Sequence, residues 1–179
     1  MINYASNDGY ILKFKLNLDN DVLLKKCLSV LSDSTLSKIT KQQGEEYHIQ
    51  TYERISSYPF RKTSEANPHT WDEFKPAIDF LSTFSDYSSI AASWVAKTLE
   101  HGYIGPHAHA SIDRAEHSAF IYYVSLNDTH PCTRFFINDE WITIDQKQGD
   151  FIYFDGRIVH DHLPNEGIGD RIVIAGNIL

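Results

Sequence analysis

The sequence predicts a mainly β fold, a jelly roll or sandwich, with flanking α-helices on its outside. Its 179 residues and 42% hydrophobic content favour one domain with a sizeable core. After about Ser88 the chain is a series of short apolar runs separated by Gly, Asp, Asn and Pro, the pattern of consecutive strands and turns. Before that point, apolar residues recur with helical spacing. The strand-like runs are IAASWVAKTLE, GYIGPHAHA, SAFIYYVSL, TRFFI, EWITI, GDFIYFD and DRIVIAGNIL.

The N-terminal part, residues 1–88, is predicted to buttress a barrel formed by residues 89–179. A first helix is expected within DNDVLLKKCLSVLSD, where Asp19, Asn20 or Asp21 is placed to cap the start. The apolar residues of this stretch share one helical face: Leu23, Leu24, Cys27, Leu28 and Leu31. The stretch STLSKITKQQ is interpreted as a second short helix.

Two further elements are predicted before the barrel. The stretch EYHIQTYERI alternates polar and apolar residues and predicts a strand. Thr70 and Glu73 have the spacing of a capping box, which predicts a helix from about Trp71 to Phe84. That helix would place Phe74, Ile78 and Leu81 on one side.

Charge and cysteine content restrict the expected partners and location. A net charge of −8, without a Lys/Arg cluster, argues against a broad phosphate-binding surface, so nucleic acid is an unlikely partner on sequence grounds. The apolar runs are too short to span a bilayer, and the start lacks a signal-peptide pattern. The two cysteines, Cys27 and Cys132, lie far apart in sequence. A disulfide is therefore unsupported, and a cytoplasmic protein is the simpler interpretation.

Two short stretches carry the candidate site. In GPHAHA, His107 and His109 have the two-residue spacing that places side chains on one face of a strand. His160 ends the later run GRIVH. An isolated pair of this kind is usually two surface histidines, but a third histidine converging on it inside a barrel gives three ligands on one side of a metal. Open facial coordination of this type is used by non-haem Fe(II) oxygenases.

Arg171 opens the last strand, eleven residues after His160. A cation facing into a barrel is costly unless it meets an anion, and a planar guanidinium suits both oxygens of a carboxylate. Asn177 lies six residues later, an even offset that puts it on the same face. Arg134 is the alternative cation, although a surface salt bridge is its commoner role. His162 is expected in a loop before Leu163-Pro164.

These motifs, in this order, resemble the Fe(II)/2-oxoglutarate-dependent dioxygenases, and most of all the prolyl-hydroxylase-like branch with its small bacterial and phage members. The pieces are HAH, HSAFIYYVSL, GDFIYFDGRIVH and RIVIAGN, which together cover roughly residues 89–179. The resemblance implies a double-stranded β-helix, a jelly roll of the cupin-like barrel type. It also implies a requirement for Fe(II), 2-oxoglutarate and O₂, with release of succinate and CO₂.

The resemblance also assigns roles to residues of this chain. It puts His107, His109 and His160 at the metal positions and Arg171 at the basic residue that binds the distal carboxylate of 2-oxoglutarate. Tyr122 and Tyr123 alternate on their strand, so one phenol faces inwards, and the family strand favours Tyr123 as a contact to 2-oxoglutarate. Asn177 is a further expected contact to the cofactor or to water on the metal.

One departure concerns the second metal position, where His109 stands in place of the more common carboxylate. Three histidines leave the Fe(II) site with one more positive charge than two histidines and a carboxylate. Asp113 and Glu116 are the nearby carboxylates that could take this position instead, by folding back from a loop.

Other readings of the site remain open at this point. A cupin could use the metal without 2-oxoglutarate, although Glu116 follows the histidine pair at a longer spacing than the cupin pattern prefers and Arg171 has no role there. A non-catalytic jelly-roll binding module would make the histidines incidental. The substrate is open as well: a peptidyl proline, a free amino acid and another small metabolite all suit the family chemistry.

Overall fold

The computed structural model describes residues 2–6, 9–32, 44–46, 49–57, 63–83, 89–109 and 118–179. Its elements, in chain order, are β1 (Ile2–Ser6), β2 (Gly9–Lys15), α1 (Asn20–Ser32), β3 (Gly44–Glu46), β4 (Ile49–Ser56), α2 (Lys75–Leu81), β5 (Ile90–His107), β6 (Ser118–Ser125), β7 (Thr133–Ile137), β8 (Glu140–Thr143), β9 (Asp150–Asp155), β10 (His160–His162) and β11 (Arg171–Ile178). Two short 3₁₀ turns, Ser64–Ala66 and Pro68–Thr70, precede α2.

The strands of the described residues form one curled antiparallel sheet in the order β1-β2-β9-β6-β11-β5-β10-β7-β8. The long strand β5 joins its two parts. Residues 90–98 of β5 pair with β11, while residues nearer its end pair with β10, where His107 lies opposite His160. The short hairpin β3–β4 adds to the other edge of β5. This arrangement confirms the predicted mainly β jelly roll.

Alternation along the strands divides the apolar side chains between two layers. On β6, Ala119, Ile121 and Tyr123 belong to the inner cluster, whereas Phe120 and Tyr122 belong to an outer one. Strands β5, β9 and β11 alternate in the same way. The two helices and the segment that precedes α2 cover the outer layer through Leu23, Cys27, Leu31, Trp71, Phe74, Ala77 and Leu81. The inner layer is the one that carries the candidate site.

Helix α1 confirms the first predicted helix and one of its three candidate caps. The carboxylate of Asp19 accepts a hydrogen bond from the Val22 N–H at 3.1 Å, as an N-cap residue does. Leu28 was expected on the buried face but is 39% exposed. The buried residues Leu23, Cys27 and Leu31 follow a strict four-residue spacing, and this spacing leaves Leu28 at the margin.

The first fifteen residues correct the sequence interpretation, because the strands β1 and β2 there were not predicted. Strand β2 pairs with β9 and extends the main sheet. Its signal was present in the run GYILKFK, where Ile11 is buried in the inner cluster and Leu12 packs in the outer one. The strand predicted from EYHIQTYERI corresponds to β4 and part of β3. The division at residue 88 stays a prediction.

The third predicted helix is shorter than expected. Helix α2 begins at Lys75, because Pro76 fits only in a first helical turn, where its missing N–H is not needed. The expected capping box is absent: the Thr70 hydroxyl donates to the carbonyls of Ser64 and Asn67, and Glu73 pairs with Lys26. Phe84 and the whole stretch STLSKITKQQ lie outside the described residues.

Two observations concern the wider properties of the chain. Cys27 and Cys132 are both free thiols, so they do not form a disulfide. In the part of the chain that the structure describes, none of the helices combines the length and apolarity needed to cross a bilayer.

Candidate metal and anion site

Three histidines meet at the end of the inner layer where β5 and β10 pair. Their ligand nitrogens all lie within 4.8 Å of one another, and the Nε2 atoms of His109 and His160 are 3.2 Å apart. Strand β5 ends at His107, so His109 stands just beyond it, and its N–H donates to the Gly156 carbonyl at 2.9 Å. The sequence pattern had put His109 on the strand. In the structure, its backbone hydrogen bond to the turn between β9 and β10 holds it in place instead.

Hydrogen bonds to backbone orient two of these rings. The Nδ1 atom of His107 lies 2.9 Å from the Gly105 carbonyl, and that of His160 lies 3.1 Å from the Ile158 carbonyl. A carbonyl only accepts, so each Nδ1 carries the proton and each Nε2 is left with a lone pair. Histidines that bind metals are usually oriented in this way by a partner on the second nitrogen.

Burial keeps the three imidazoles neutral. It lowers the pKa of His107 to about 4 and that of His109 to about 3, and it lowers the pKa of His160 well below its usual value. Aromatic rings supply much of the cover: Phe154 lies 4.8 Å from His160 and Trp94 lies 6.0 Å from His109, between ring centroids. Neutral imidazole is the form that binds a metal, so the site is prepared for one at neutral pH.

These lowered pKa values predict a pH-dependent stability of the metal-free protein. The unfolded chain takes up protons on His107 and His109 near pH 6.5, whereas the folded chain resists them until about pH 4 and about pH 3. Lowering the pH from 6.5 towards 4 therefore favours the unfolded chain, by up to about 1.4 kcal/mol per pH unit for each histidine. Urea unfolding at several pH values measures this slope. The double variant His107→Gln/His109→Gln should have a shallower slope, and an equal slope would contradict the assignment.

Arg171 is buried in the same layer without an anion. Its Nη2 donates to the Thr133 hydroxyl at 2.9 Å, and its guanidinium lies 5.4 Å from the centre of the Tyr123 ring. Its Nε is buried and lacks a hydrogen-bond partner among the described residues, which also offer it no carboxylate within ion-pair distance. A buried guanidinium with an unused donor is suited to bind an anion, because leaving it unpaired is costly.

A small network fixes the position of this guanidinium. The Thr133 hydroxyl, which accepts from Arg171, also lies 2.8 Å from the Tyr123 hydroxyl. The side-chain amide of Gln146 clamps the backbone of Thr133 from both sides, with bonds of 2.7 and 2.8 Å. Thr133 and Gln146 were not identified from the sequence, since nothing local distinguishes them and their partners lie 10 to 38 residues away.

The histidines and Arg171 line one pocket, which encloses about 430 Å³ of empty space including its open mouth. Its walls are formed by Arg54, Trp94, Ile104, His107, His109, Ile121, Thr133, His160, Asp161, His162, Arg171, Val173 and Ala175. The pocket therefore combines three metal-ligand side chains, one buried cation and an apolar wall.

Comparison with solved structures identifies the fold. A prolyl-4-hydroxylase from Pseudomonas putida is 14% identical, covers 94% of this chain and 91% of its own, and has a TM-score of 0.62. The 2-oxoglutarate complex of the viral collagen prolyl hydroxylase of Paramecium Bursaria Chlorella virus-1 is 15% identical, covers 94% of both chains and has a TM-score of 0.58. The fold is that of the 2-oxoglutarate oxygenases.

HygX from Streptomyces hygroscopicus, with nickel, 2-oxoglutarate and hygromycin B bound, has the same 2-oxoglutarate oxygenase fold. It is 9% identical, covers 94% of this chain and 82% of its own, and has a TM-score of 0.63. No protein-family model and no curated protein sequence matches the chain. The fold prediction is thus confirmed by structure alone, at identities where sequence comparison finds nothing.

Within this 2-oxoglutarate oxygenase fold, Arg134 is engaged elsewhere. It binds Asp161 with both arms of its fork, at 2.9 and 2.6 Å, and stacks 4.8 Å from the Trp141 ring. The salt bridge neutralises Asp161, which lines the pocket. Among the described residues, Arg134 therefore has an anionic partner, whereas Arg171 has none.

His162 was expected in a loop, and this prediction is wrong. It lies in β10 and is buried. Its Nε2 is 3.3 Å from the Thr98 hydroxyl and its Nδ1 is 2.9 Å from the Leu163 carbonyl. Burial, and then the charges of Arg171 and Arg54, lower its pKa. His162 is thus a neutral polar group in the pocket wall.

Asn177 faces the inner layer as predicted but lies away from the pocket. It is opposite Ala92 and Ala119, and six strand residues separate it from Arg171, about 20 Å along β11. Its buried Oδ1 has no hydrogen-bond partner among the described residues. Its expected role as a cofactor contact stays a prediction.

The alternative second ligands, Asp113 and Glu116, lie outside the described residues. His109 itself places a ligand nitrogen within reach of the other two histidines, so three imidazoles are sufficient to form the ligand cluster.

Proposed function

We propose that the protein is an Fe(II)- and 2-oxoglutarate-dependent oxygenase that hydroxylates a substrate C–H bond and releases succinate and CO₂. The observation that carries the proposal is the joint placement, in one pocket of this fold, of three neutral histidines and a buried Arg171 to which the described residues offer no anion. A metal and a dicarboxylate would satisfy both features at once.

The donor set fits both groups. Three imidazole nitrogens on one side suit Fe(II) and leave its other positions open. In this proposal His107, His109 and His160 are the metal ligands, and no carboxylate is needed as a fourth. The unused Nε of Arg171 and its guanidinium fork suit the distal carboxylate of 2-oxoglutarate.

Four residues in or beside the pocket have further tasks in this mechanism. Thr133 holds the Arg171 fork, and Tyr123, whose hydroxyl bonds Thr133, covers one face of the guanidinium. The apolar side chains Ile121 and Val173 exclude water and position the substrate. When bound, Fe(II), 2-oxoglutarate and O₂ supply the oxidising chemistry, while the protein supplies position and electrostatics.

Two other functions are less well supported. A cupin-type metalloenzyme would bind the metal but leaves the buried Arg171 unexplained. A non-catalytic jelly-roll module explains neither the clustered nitrogens nor their lowered pKa values. The acidic net charge and the two free thiols support a substrate other than nucleic acid and a cytoplasmic location as parts of the same proposal.

The solved structures of similar fold hold substrates of more than one chemical class. One structure of this fold, a prolyl hydroxylase from Trichoplax adhaerens, holds a peptide fragment of hypoxia inducible factor, and HygX holds hygromycin B. We propose a small-molecule or peptidyl substrate on this basis.

The proposal predicts that the iron-loaded protein consumes 2-oxoglutarate. Anaerobic addition of 2-oxoglutarate should produce a visible charge-transfer absorption, and admission of O₂ should form succinate and CO₂ in equal amounts. The metal-free protein is the control and should do neither. Iron binding without 2-oxoglutarate binding would favour the cupin function, and a protein that binds no metal would favour the binding module.

A further inference from the structure

The side chain of Gln146 takes the place of a strand beside Thr133. Thr133 is the first residue of β7, and on one side it pairs with His162 of β10. On the other side β8 ends at Thr143, opposite Arg134, so its register stops one residue short of Thr133. There the Thr133 N–H donates to Gln146 Oε1 at 2.7 Å, and Gln146 Nε2 donates to the Thr133 carbonyl at 2.8 Å. A residue of a neighbouring antiparallel strand would exchange the same two hydrogen bonds.

The loop that carries Gln146 also holds the backbone of Tyr123. This loop comprises residues 144–149, between β8 and β9. The Gly149 N–H donates to the Tyr123 carbonyl at 2.8 Å, and Gly149 has a φ of +81°, in the left-handed region that favours glycine. One loop therefore fixes the backbone of Thr133 through Gln146 and that of Tyr123 through Gly149.

Both of these residues contact the buried Arg171. The Thr133 hydroxyl accepts from Arg171 Nη2 at 2.9 Å, and the centre of the Tyr123 ring lies 5.4 Å from the guanidinium. The hydroxyls of Thr133 and Tyr123 are 2.8 Å apart. Gln146 is 5% exposed, and Thr133 and Arg171 are each 3% exposed, so solvent is poorly placed to replace a lost contact. A shift of Thr133 would therefore change the position of the Arg171 fork.

The position of this fork matters because binding of a carboxylate by a guanidinium is directional. Two parallel N–H···O bonds form only in a narrow geometry, and a misplacement of about 1 Å is enough to lose much of their effect. Without the Gln146 amide, the N–H and the carbonyl of Thr133 would be buried without partners on that side. Such groups are costly, so the backbone would move towards other partners. Only a ligand with an anion at the Arg171 end would be affected.

We propose that Gln146 is a positioning residue that determines the preference of the site for 2-oxo acids with a distal carboxylate. The inference rests on the proposed function and specifies a residue that sets its co-substrate selectivity. Gln146 is not among the residues that line the pocket, and it acts through Thr133, which is. A 2-oxo acid without the distal carboxylate has no group for Arg171 to bind, so Gln146 does not affect its affinity.

The test compares two 2-oxo acids of the same chain length. 2-Oxoglutarate has a distal carboxylate, and 2-oxopentanoate has a methyl group in its place. Each is titrated by calorimetry, without O₂, into Fe(II)-loaded protein. Wild type should prefer 2-oxoglutarate by about tens- to thousands-fold, the effect of one buried charged pair. In Gln146→Met this preference should fall at least about tenfold, by analogy with the partners that orient metal ligands. The affinities for 2-oxopentanoate and for Fe(II) should not change.

Three further variants show whether Gln146 acts through Arg171. Gln148→Met makes the same substitution in the same loop, at an exposed side chain, and should keep the wild-type preference. Gln146→Asn keeps the amide but draws it back by one methylene group, so its preference should fall as well. The double variant Gln146→Met/Arg171→Met should have the same preference as Arg171→Met alone, because two changes that act through one contact are not additive.

The outcomes separate this inference from the proposed function. Failure of Fe(II)-loaded wild type to bind 2-oxoglutarate would reject the proposed function, and the inference with it. If 2-oxoglutarate binds, the inference is overturned when wild type does not prefer it, when either Gln146 variant keeps the wild-type preference, or when both acids weaken equally. A double variant with less preference than Arg171→Met would overturn it too. Failure of both Gln146 variants to bind Fe(II) would do the same, since Gln146 would then serve folding alone.

Discussion

His160→Ala protein is expected to lose its metal, whereas wild-type protein holds about one Fe(II) per chain. His160 is the most buried of the three histidines, and its Nε2 lies 3.2 Å from that of His109. Losing even an outer partner of a metal ligand costs about 10–100-fold in affinity, so losing the ligand itself should cost more than about 100-fold. Elemental analysis and anaerobic Fe(II) titration measure the loss.

A matched control uses a histidine outside the site. His101 is 71% exposed at its side chain and has a positive φ of 62°, which asparagine tolerates well. His101→Asn should bind metal as wild type does. If folded His160→Ala protein keeps its iron, His160 is not a ligand and the proposed site is wrong. Circular dichroism and thermal unfolding of each variant establish that it is folded.

Arg171→Met is expected to lose 2-oxoglutarate while keeping iron. Methionine fills much of the space of the side chain but offers no donor to the distal carboxylate. Removing one partner of a buried charged pair costs about 2–5 kcal/mol, which corresponds to a loss of about tens- to thousands-fold in affinity. Anaerobic titration of 2-oxoglutarate into the iron-loaded proteins measures this difference, and Arg157→Gln, which removes a cation whose side chain is 66% exposed, is the surface control.

The same variant should be more stable than wild type when nothing is bound. Burial of wild-type Arg171 is costly, since its Nε has no partner in the part of the chain that the structure describes. By analogy with buried ionic groups replaced by apolar ones, unliganded Arg171→Met should gain up to about 1–4 kcal/mol in free energy of unfolding. 2-Oxoglutarate at about 1,000 times its Kd should remove or reverse this advantage, because it stabilises the iron-loaded wild type by about 4.1 kcal/mol. Equal affinities of wild type and Arg171→Met for 2-oxoglutarate would show that Arg171 does not bind the distal carboxylate.

The side chains that point into the barrel were the feature of the site that the sequence predicted best. Strand alternation is a local rule, so the inward direction of Tyr123 and Arg171 follows from position alone, and the structure shows both in the inner layer. The same rule put His109 on the strand with His107. The rule placed His109 near His107, as the structure does, but the reason was partly wrong. His109 lies beyond the end of the strand, and a backbone hydrogen bond to Gly156 holds it there.

Features that depend on distant partners could not be predicted. Gln146 is an ordinary polar residue in sequence, and its task is defined only by the backbone of Thr133 beside it in space. The pairing of Thr98 with both Arg54 and Arg171 likewise requires the registers of three strands. The hairpin β1–β2 is a different case, because its local signal was present in the sequence. The run GYILKFK alternates as a strand does, but it lies next to the helical pattern of α1 and was not predicted as a strand.

The position of β11 has a consequence for how the chain is made. This strand follows all the others described, yet it lies in the middle of the sheet, between β6 and β5. While a ribosome is still producing residues 163–170, β5 and β6 each lack this neighbour and expose an unpaired edge. Nascent chains with such edges are prone to aggregate, and pairings between distant segments form slowly. The barrel can therefore close only after β11 has emerged, and a nascent chain stalled before Arg171 would be a substrate for chaperones.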